Sequence, residues 1–286
     1  MTESLRLRML RLLASPFGKA WAPAELAGKA EGSEAEAAAA LEALREDGWL
    51  IKFSGDGVSC AGEPPWLNPE AVELHLQTKC LGRPLVVYHE TSSTNDRARQ
   101  AAQGGAAEGL TIFAESQTSG RGQHGRRWLS PPGTGLWFTV LLRSTLPVEN
   151  YPQLVQAAAL STAEVLDRYL AVPVLIKRPN DLYVGPSKLA GFLLESASDA
   201  TWQVLGFGIN VHAAPDLPGA QITCVDKHAN SPPVARARLA AEILYRFETW
   251  YRRGNAHRLE DCVRARQWER TGMSRPDLEP PAGSMS

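Results

Sequence analysis

The sequence predicts an α+β protein in two parts, and three observations carry that expectation. Residues 5–60 hold short helical stripes and one turn-centred hairpin, a proline-rich break "GEPPWLNPE" follows, and beyond it most apolar runs have strand length. Successive strands with few helices between them favour a mixed or antiparallel sheet over a doubly wound one. The 286 residues suffice for one large core and a small extra domain. The expected boundaries are 1–62, 63–255 and a tail at 256–286.

In the first part, Leu5, Met9, Leu12 and Leu13 fall at helical spacing, with Arg6, Arg8 and Arg11 on the flanks. A second helix is expected at "APAELAGKA". A third starts at Ser33, where Ser33 and Glu36 form a capping box, and runs to Gly48. "WLIKFSGDGVSCA" then reads as a hairpin around Gly55, Asp56 and Gly57. Three helices and a hairpin describe a winged helix-turn-helix. The usual partner of that fold is DNA, read by the third helix. Charge argues against DNA here, because that helix carries Glu34, Glu36, Glu42, Glu46 and Asp47 against Arg45 alone.

In the second part, "PLVVYHE", "GLTIFAE", "GLWFTVLL", "PVLIKRPNDLYVG", "SKLAGFLLES" and "WQVLGFGINVH" read as strands. "LVQAAALSTAEVLDRYL" and "VARARLAAEILYRFETWYRR" read as helices, the latter packing on the sheet. From Gly254 the apolar pattern is lost and the tail ends in Pro, Gly and Ser, which predicts a frayed end.

Composition sets limits on function. A net charge of −1 leaves no global field that would select nucleic acid or an anionic membrane, so any basic function must be local. Four dispersed cysteines without a CxxC pair argue against a metal site and for a reducing compartment. Arginines interrupt "LRLRMLRLLA", so it reads neither as a signal peptide nor as a spanning helix, and a cytoplasmic location is expected.

Against that background, residues 119–128, "SGRGQHGRRW", stand out. Gly120, Gly122 and Gly125 allow close backbone approach, and Arg121, Arg126 and Arg127 supply forked cationic donors suited to phosphate or carboxylate. The segment is neither a Walker loop nor a GxGxxG turn, and alone it serves equally as a solvated basic loop. "TSSTN" at residues 91–95 offers hydroxyls and an amide to a neutral polar group such as a urea, or simply caps a helix. "KRPND" at residues 177–181 is by itself a turn. Lys188 opens an otherwise apolar strand, where an ammonium needs an anion unless it sits at the strand edge.

Together and in this order, "GRGQHGRRW", "KRPND", "KLAGFLLE" and "GFGINV" resemble the motifs of the biotin–protein ligases, in particular the form that joins a winged-helix repressor domain to the ligase. The resemblance covers roughly residues 5–255. It implies a mixed-sheet catalytic domain of the class II synthetase/biotin ligase type. It also implies a two-step reaction in which biotin and MgATP give biotinyl-5′-adenylate and pyrophosphate, and the adenylate then acylates a lysine of a biotin carboxyl carrier protein, the acetyl-CoA carboxylase subunit. By the same resemblance Arg121 and Lys188 are catalytic. Ser93, Thr94, Asn95, Gln117, Gly120, Arg121, Gly122, Trp128, Lys188 and Gly191 line the biotin site. Arg126, Arg127, Trp128, Asn180, Asp181, Lys188 and Asn210 hold the nucleotide, with Asp181 toward Mg.

A homodimer joined sheet to sheet is plausible by resemblance only. The alternatives are a biotin-responsive winged-helix regulator or inefficient ligase-like protein, and a lipoate- or octanoate-transferring relative. Three departures stand beside the matches. Gln123 and His124 replace arginines of the family's loop, Arg178 replaces the tryptophan of KWPND, and after Trp268 no strand pattern suggests the family's small β barrel.

Overall fold

The computed structural model describes residues 3–254 and 256–269. The chain divides into two compact units, 1–77 and 78–286.

The first unit contains α1 (Leu5–Leu13), α2 (Pro23–Lys29), α3 (Glu34–Glu46), the antiparallel pair β1 (Ile51–Ser54) and β2 (Gly57–Cys60), and α4 (Pro69–His75). The capping box of α3 forms as expected: Glu36 N donates to Ser33 Oγ and Ser33 N donates to Glu36 Oε2 at 2.9 Å. Gly57 has φ +119°, and a Cβ there would stand 2.2 Å from the Trp21 carbonyl oxygen, so only glycine fits this hairpin. Two expectations change. The buried face of α1 is Leu7, Met9, Leu10 and Leu13, because α2, α3 and α4 all pack on this helix and cover more than one stripe. The boundary lies at 77/78 rather than 62/63. The proline-rich segment leads into α4, capped by Asn68, and Glu70 of α4 pairs with Arg6 of α1 at 2.9 Å.

The second unit is built on a seven-stranded sheet of β3 (Leu85–Thr91), β4 (Thr111–Gln117), β5 (Gly135–Leu142), β6 (Leu175–Lys177), β7 (Asp181–Val184), β8 (Ser187–Ser196) and β9 (Gln203–Asn210). The order is β3-β4-β5-β9-β8-β7-β6, with β3 and β4 parallel and every other pair antiparallel. The parallel pair needs a crossover, supplied by α5 (Thr94–Gln103).

Strand alternation then gives the sheet two different faces. On one, Phe113, Phe138 and Phe207 stack in sequence, and Phe192 and Phe247 of α7 (Arg236–Arg253) meet Phe207 edge to face, beside α6 (Pro152–Leu166). On the other, the row Trp137, Gly208, Gly191, Asp181 and Lys177 crosses five strands. The buried Glu115–Arg236 pair, with both contacts at 3.0 Å, fixes the start of α7 to β4.

The tail expectation is corrected in part. Residues 256–264 form α8 (Ala256–Arg264), which buries Leu259 and Val263 beside α6, and Gln267 pairs with Ile176 at the sheet edge. Two apolar side chains a helical turn apart are enough once an existing helix offers the other half of the contact. Residues 270–286 of that expectation lie outside the described residues. No helix among the described residues is long and apolar enough to cross a membrane.

Candidate functional site

A cavity of about 1170 Å³ opens on the glycine-bearing face of the sheet. Its first wall is the start of α5. Ser93 is the N-cap by position, Thr94 N donates to Gln117 Oε1 at 2.9 Å, and Gln117 Nε2 donates to Ser130 Oγ at 2.8 Å. Thr139 Oγ1 lies 2.8 Å from Thr94 Oγ1 and 2.6 Å from Asn95 Oδ1, and Asn95 Nδ2 donates to Glu195 Oε2 at 3.0 Å. Asn95 also requires glycine opposite it, since a Cβ on Gly206 would stand 2.4 Å from Asn95 Oδ1. The result is a buried, largely satisfied polar end with fixed amide orientations.

The floor is Trp128 laid across the strands. A Cβ on Gly208 would stand 2.6 Å from Trp128 Cε2, and one on Gly191 would stand 3.1 Å from Trp128 Cζ3 and 3.2 Å from Asp181 Oδ1. Lys188 Nζ lies 5.2 Å from the Trp128 ring centre and forms an ion pair with Asp181 Oδ1 at 2.7 Å. At that distance the ammonium engages the carboxylate oxygen directly. Trp128 Nε1 and Asn210 Oδ1, by contrast, are buried without a hydrogen-bond partner. One donor and one acceptor left unsatisfied around one cavity are what a polar ligand would complete.

The third wall is the glycine–arginine loop. It closes on itself through Gly122 N to Arg126 O at 2.7 Å and Trp128 N to Gly120 O at 2.9 Å, with His124 and Gly125 at positive φ. Arg121 donates to both oxygens of Asp96, each at 2.8 Å, and to Glu195 at 3.2 Å. The hydrogen bond between them raises the Arg121 pKa above its ordinary value and holds the Asp96 carboxyl below its own. Arg126 and Arg127 are exposed and have no acidic partner among the described residues.

Residues 87–211 match the model of the biotin/lipoate A/B protein ligase family. The bifunctional ligase/repressor BirA of Bacillus subtilis is 30% identical over 219 residues, covering 74% of this chain and 67% of its own length. The biotin–[acetyl-CoA-carboxylase] ligase of Mycobacterium tuberculosis is 34% identical over 193 residues, covering 64% and 71%. This chain belongs to the biotin–protein ligases of that family. Among solved structures, the biotin protein ligase of Aquifex aeolicus in complex with biotin and ATP superposes with a TM-score of 0.57 at 26% identity, over 66% of this chain and 79% of that one.

Of the residues that the ligase resemblance singles out, Ser93, Thr94, Asn95, Gln117, Arg121, Gly122, Arg126, Arg127, Trp128, Asn180, Asp181, Lys188, Gly191 and Asn210 all line the one cavity. Gly120 does not. It stands behind the wall, where a Cβ would meet the Trp128 carbonyl oxygen at 2.5 Å. Asn180 Nδ2 donates to Phe192 O at 2.8 Å and Asn210 Nδ2 donates to Thr223 O at 3.1 Å, so both amides also brace the strands. Arg178 donates to Glu260 of α8 at 2.6 Å, which takes its charge away from a phosphate contact.

Motif reading assigned no role to Thr139, Ser130, Asp96 and Glu195. Two of them carry a signal in the chain, Thr139 as the one polar residue in "GLWFTVLL" and Glu195 as the acid that closes "KLAGFLLE".

Among the described residues no cluster of three or more His, Cys, Asp and Glu could hold a metal ion alone. A magnesium ion bound mainly through nucleotide phosphates needs less: one or two hard oxygens from the protein. Asp181 and Asn210 offer such oxygens, Asn210 Oδ1 buried without a hydrogen bond and Asp181 Oδ1 ion-paired with Lys188, and they fit it.

Proposed function

We propose that this chain is an ATP-dependent biotin–protein ligase that forms biotinyl-5′-adenylate and transfers biotin to a lysine of a biotin carboxyl carrier protein. The observation that carries the proposal is the sequence of surroundings along one cavity: a buried polar end at Ser93, Thr94, Asn95 and Gln117, then the Trp128 floor, then Lys188 and the arginine loop. That order suits a ligand with a polar ring at one end, an apolar middle and a carboxylate that must reach a phosphate. A lipoyl or octanoyl chain would bring no polar ring to that end.

In the first step a biotin carboxylate oxygen bonds to the α-phosphorus, the bond from that phosphorus to the bridging oxygen breaks, and pyrophosphate leaves with the electron pair. The lysine amine of the carrier then attacks the acyl carbon, and AMP departs as the amine loses its proton. Two anions must approach each other in the first step. Lys188 stands where it can offset their repulsion without reorganising at the moment of reaction, and Trp128 and the loop exclude water from the activated acyl group. Asp181 and Asn210 would hold magnesium, which offsets phosphate charge when bound.

For the first unit we propose a winged helix-turn-helix. Binding of DNA by it is disfavoured by the pairing of its cations: Arg6 with Asp47 and Glu70, Arg11 with Glu3, and Arg45 with Glu42. Arg8 spends its donors on backbone carbonyls, including Ala30 O at 2.7 Å. Helix α3 is left with an acidic exposed side.

Incubation with biotin, MgATP and a biotin-accepting carrier domain, followed by a blot for biotin, tests the enzyme. Labelling is expected from the wild type, with strong loss in Lys188→Ala and none with lipoate in place of biotin. Absence of labelling with a competent carrier would refute transfer. A DNA retardation assay across salt concentrations tests the first unit, with no specific shift expected.

A further inference from the structure

The other lysines and arginines in and near the cavity differ from Lys177 in what engages them. Arg121, Arg178 and Lys188 are ion-paired with Asp96, Glu260 and Asp181, and Arg126 and Arg127 belong to the glycine loop. Arg143, outside the cavity, is spent on carbonyls such as Ala106 O. Lys177 is different. It lines the cavity on the rigid strand β6 rather than on the loop, and no ion pair holds it among the described residues, its cross-strand neighbour Asp181 being engaged by Lys188.

Its ammonium is held by aromatic groups instead. Lys177 Nζ is 3.3 Å from the Tyr183 hydroxyl, 4.9 Å from the Tyr183 ring centre and 5.0 Å from that of Trp268. Trp268 is itself fixed, with its backbone N donating to Ile176 O at 2.9 Å and its indole N donating to Gly185 O at 2.7 Å. Aromatic faces orient a cation without cancelling its charge, so this lysine keeps its full attraction for an incoming anion. A carboxylate partner would have reduced it.

The register supplies the direction. Lys177 pairs with Asp181, Asp181 with Gly191 and Gly191 with Gly208, which places Lys177 at the far end of the cavity row from Trp137. With the polar seat near β5 and Lys188 midway, a carboxylate attacking phosphorus comes from the β5 side. Displacement at phosphorus is in line, so the leaving group departs on the opposite side, toward β6 and β7.

We propose that Lys177 binds the pyrophosphate part of the nucleotide, the leaving group of the adenylation step, and that Tyr183 and Trp268 position it. This assignment rests on the ligase reading above. As the bond from α-phosphorus to the bridging oxygen breaks, the electron pair passes to pyrophosphate, and the Lys177 ammonium meets the charge that develops there. Trp268 is a positioning residue that acts through Lys177.

The test titrates magnesium pyrophosphate, without biotin, into the wild type and the variants Lys177→Met, Lys177→Arg and Trp268→Leu, and measures KM and kcat for ATP and biotin affinity by calorimetry. Loss of one charge-assisted contact predicts that Lys177→Met weakens pyrophosphate binding and raises KM for ATP by about tenfold or more, with biotin affinity unchanged. Lys177→Arg should stay within about threefold of wild type, and Trp268→Leu should fall between the two. Unchanged pyrophosphate binding in a Lys177→Met variant that still binds biotin would overturn the assignment. So would equal loss in Lys177→Arg, the mark of a merely structural lysine. A wild type that binds pyrophosphate through Lys177 but never binds biotin would sink the ligase reading and leave only the pyrophosphate contact standing.

Discussion

The two long walls of the cavity use glycine for opposite reasons. On the strand wall Gly206 and Gly208 are glycine because Asn95 and Trp128 already fill the space, each within 2.6 Å of where a Cβ would be. On the loop wall, a Cβ on Gly122 would meet nothing closer than 3.7 Å and one on Gly125 would meet nothing within 4 Å. One wall is a seat whose shape exists before any ligand arrives. The other is a cover held by a few backbone bonds and by the grip of Asp96 and Glu195 on Arg121. The difference teaches that binding geometry belongs to the sheet and retention belongs to the loop.

The largest effect should come from closing the seat. Gly208→Ala pushes a methyl group into the Trp128 ring, and overpacking of this kind costs about 1–3 kcal/mol. Adenylate formation, followed by pyrophosphate release, should fall by up to about a hundredfold. Wild-type rates in this variant would break the contrast between the walls.

A smaller effect is expected from releasing the cover. Asp96→Asn removes the bidentate partner of Arg121, a partly exposed pair worth about 1 kcal/mol or less, so limited trypsin cleavage within residues 121–127 should quicken several-fold while biotin affinity hardly moves. The pH dependence follows from the direction of the Asp96 shift. Its carboxyl is held below the ordinary value near 4, so the grip is fully present above that value and is lost as pH falls through the lower folded pKa. Cleavage with an acid-tolerant protease should therefore be flat from pH 5 upward and rise only below about pH 4.

Next, Gln123→Arg restores a cation to the loop and should slow release of biotinyl-adenylate by up to about tenfold. Equal release rates would show that this position does not contribute to retention. The smallest change belongs to Gly122→Ala. With extended backbone at φ −114° and open space around it, stability should stay within about 0.5 kcal/mol of wild type by chemical denaturation.

Much of the sheet was legible because its central strands are written as continuous apolar runs. "GLWFTVLL" and "SKLAGFLLES" coincide with β5 and β8 to the residue. The capping box of α3 was legible for a local reason, since its partners are three residues apart. Contacts closed over long stretches of chain left no such trace. Asp96 and Glu195 reach Arg121 from 25 and 74 residues away, and Trp268 comes to Lys177 only because residues 266–268 pair with the edge strand β6. Helix α8 was read as a frayed end because it has few apolar side chains and borrows its core from α6.

The strand wall makes one direct claim: the biotin seat is formed before nucleotide binds. Calorimetric titration of the ligand-free protein with biotin alone should give saturable binding, abolished by Gly206→Ala, which strikes Asn95, and retained in Asp96→Asn. No heat with biotin, either alone or in the presence of MgATP, would contradict the account.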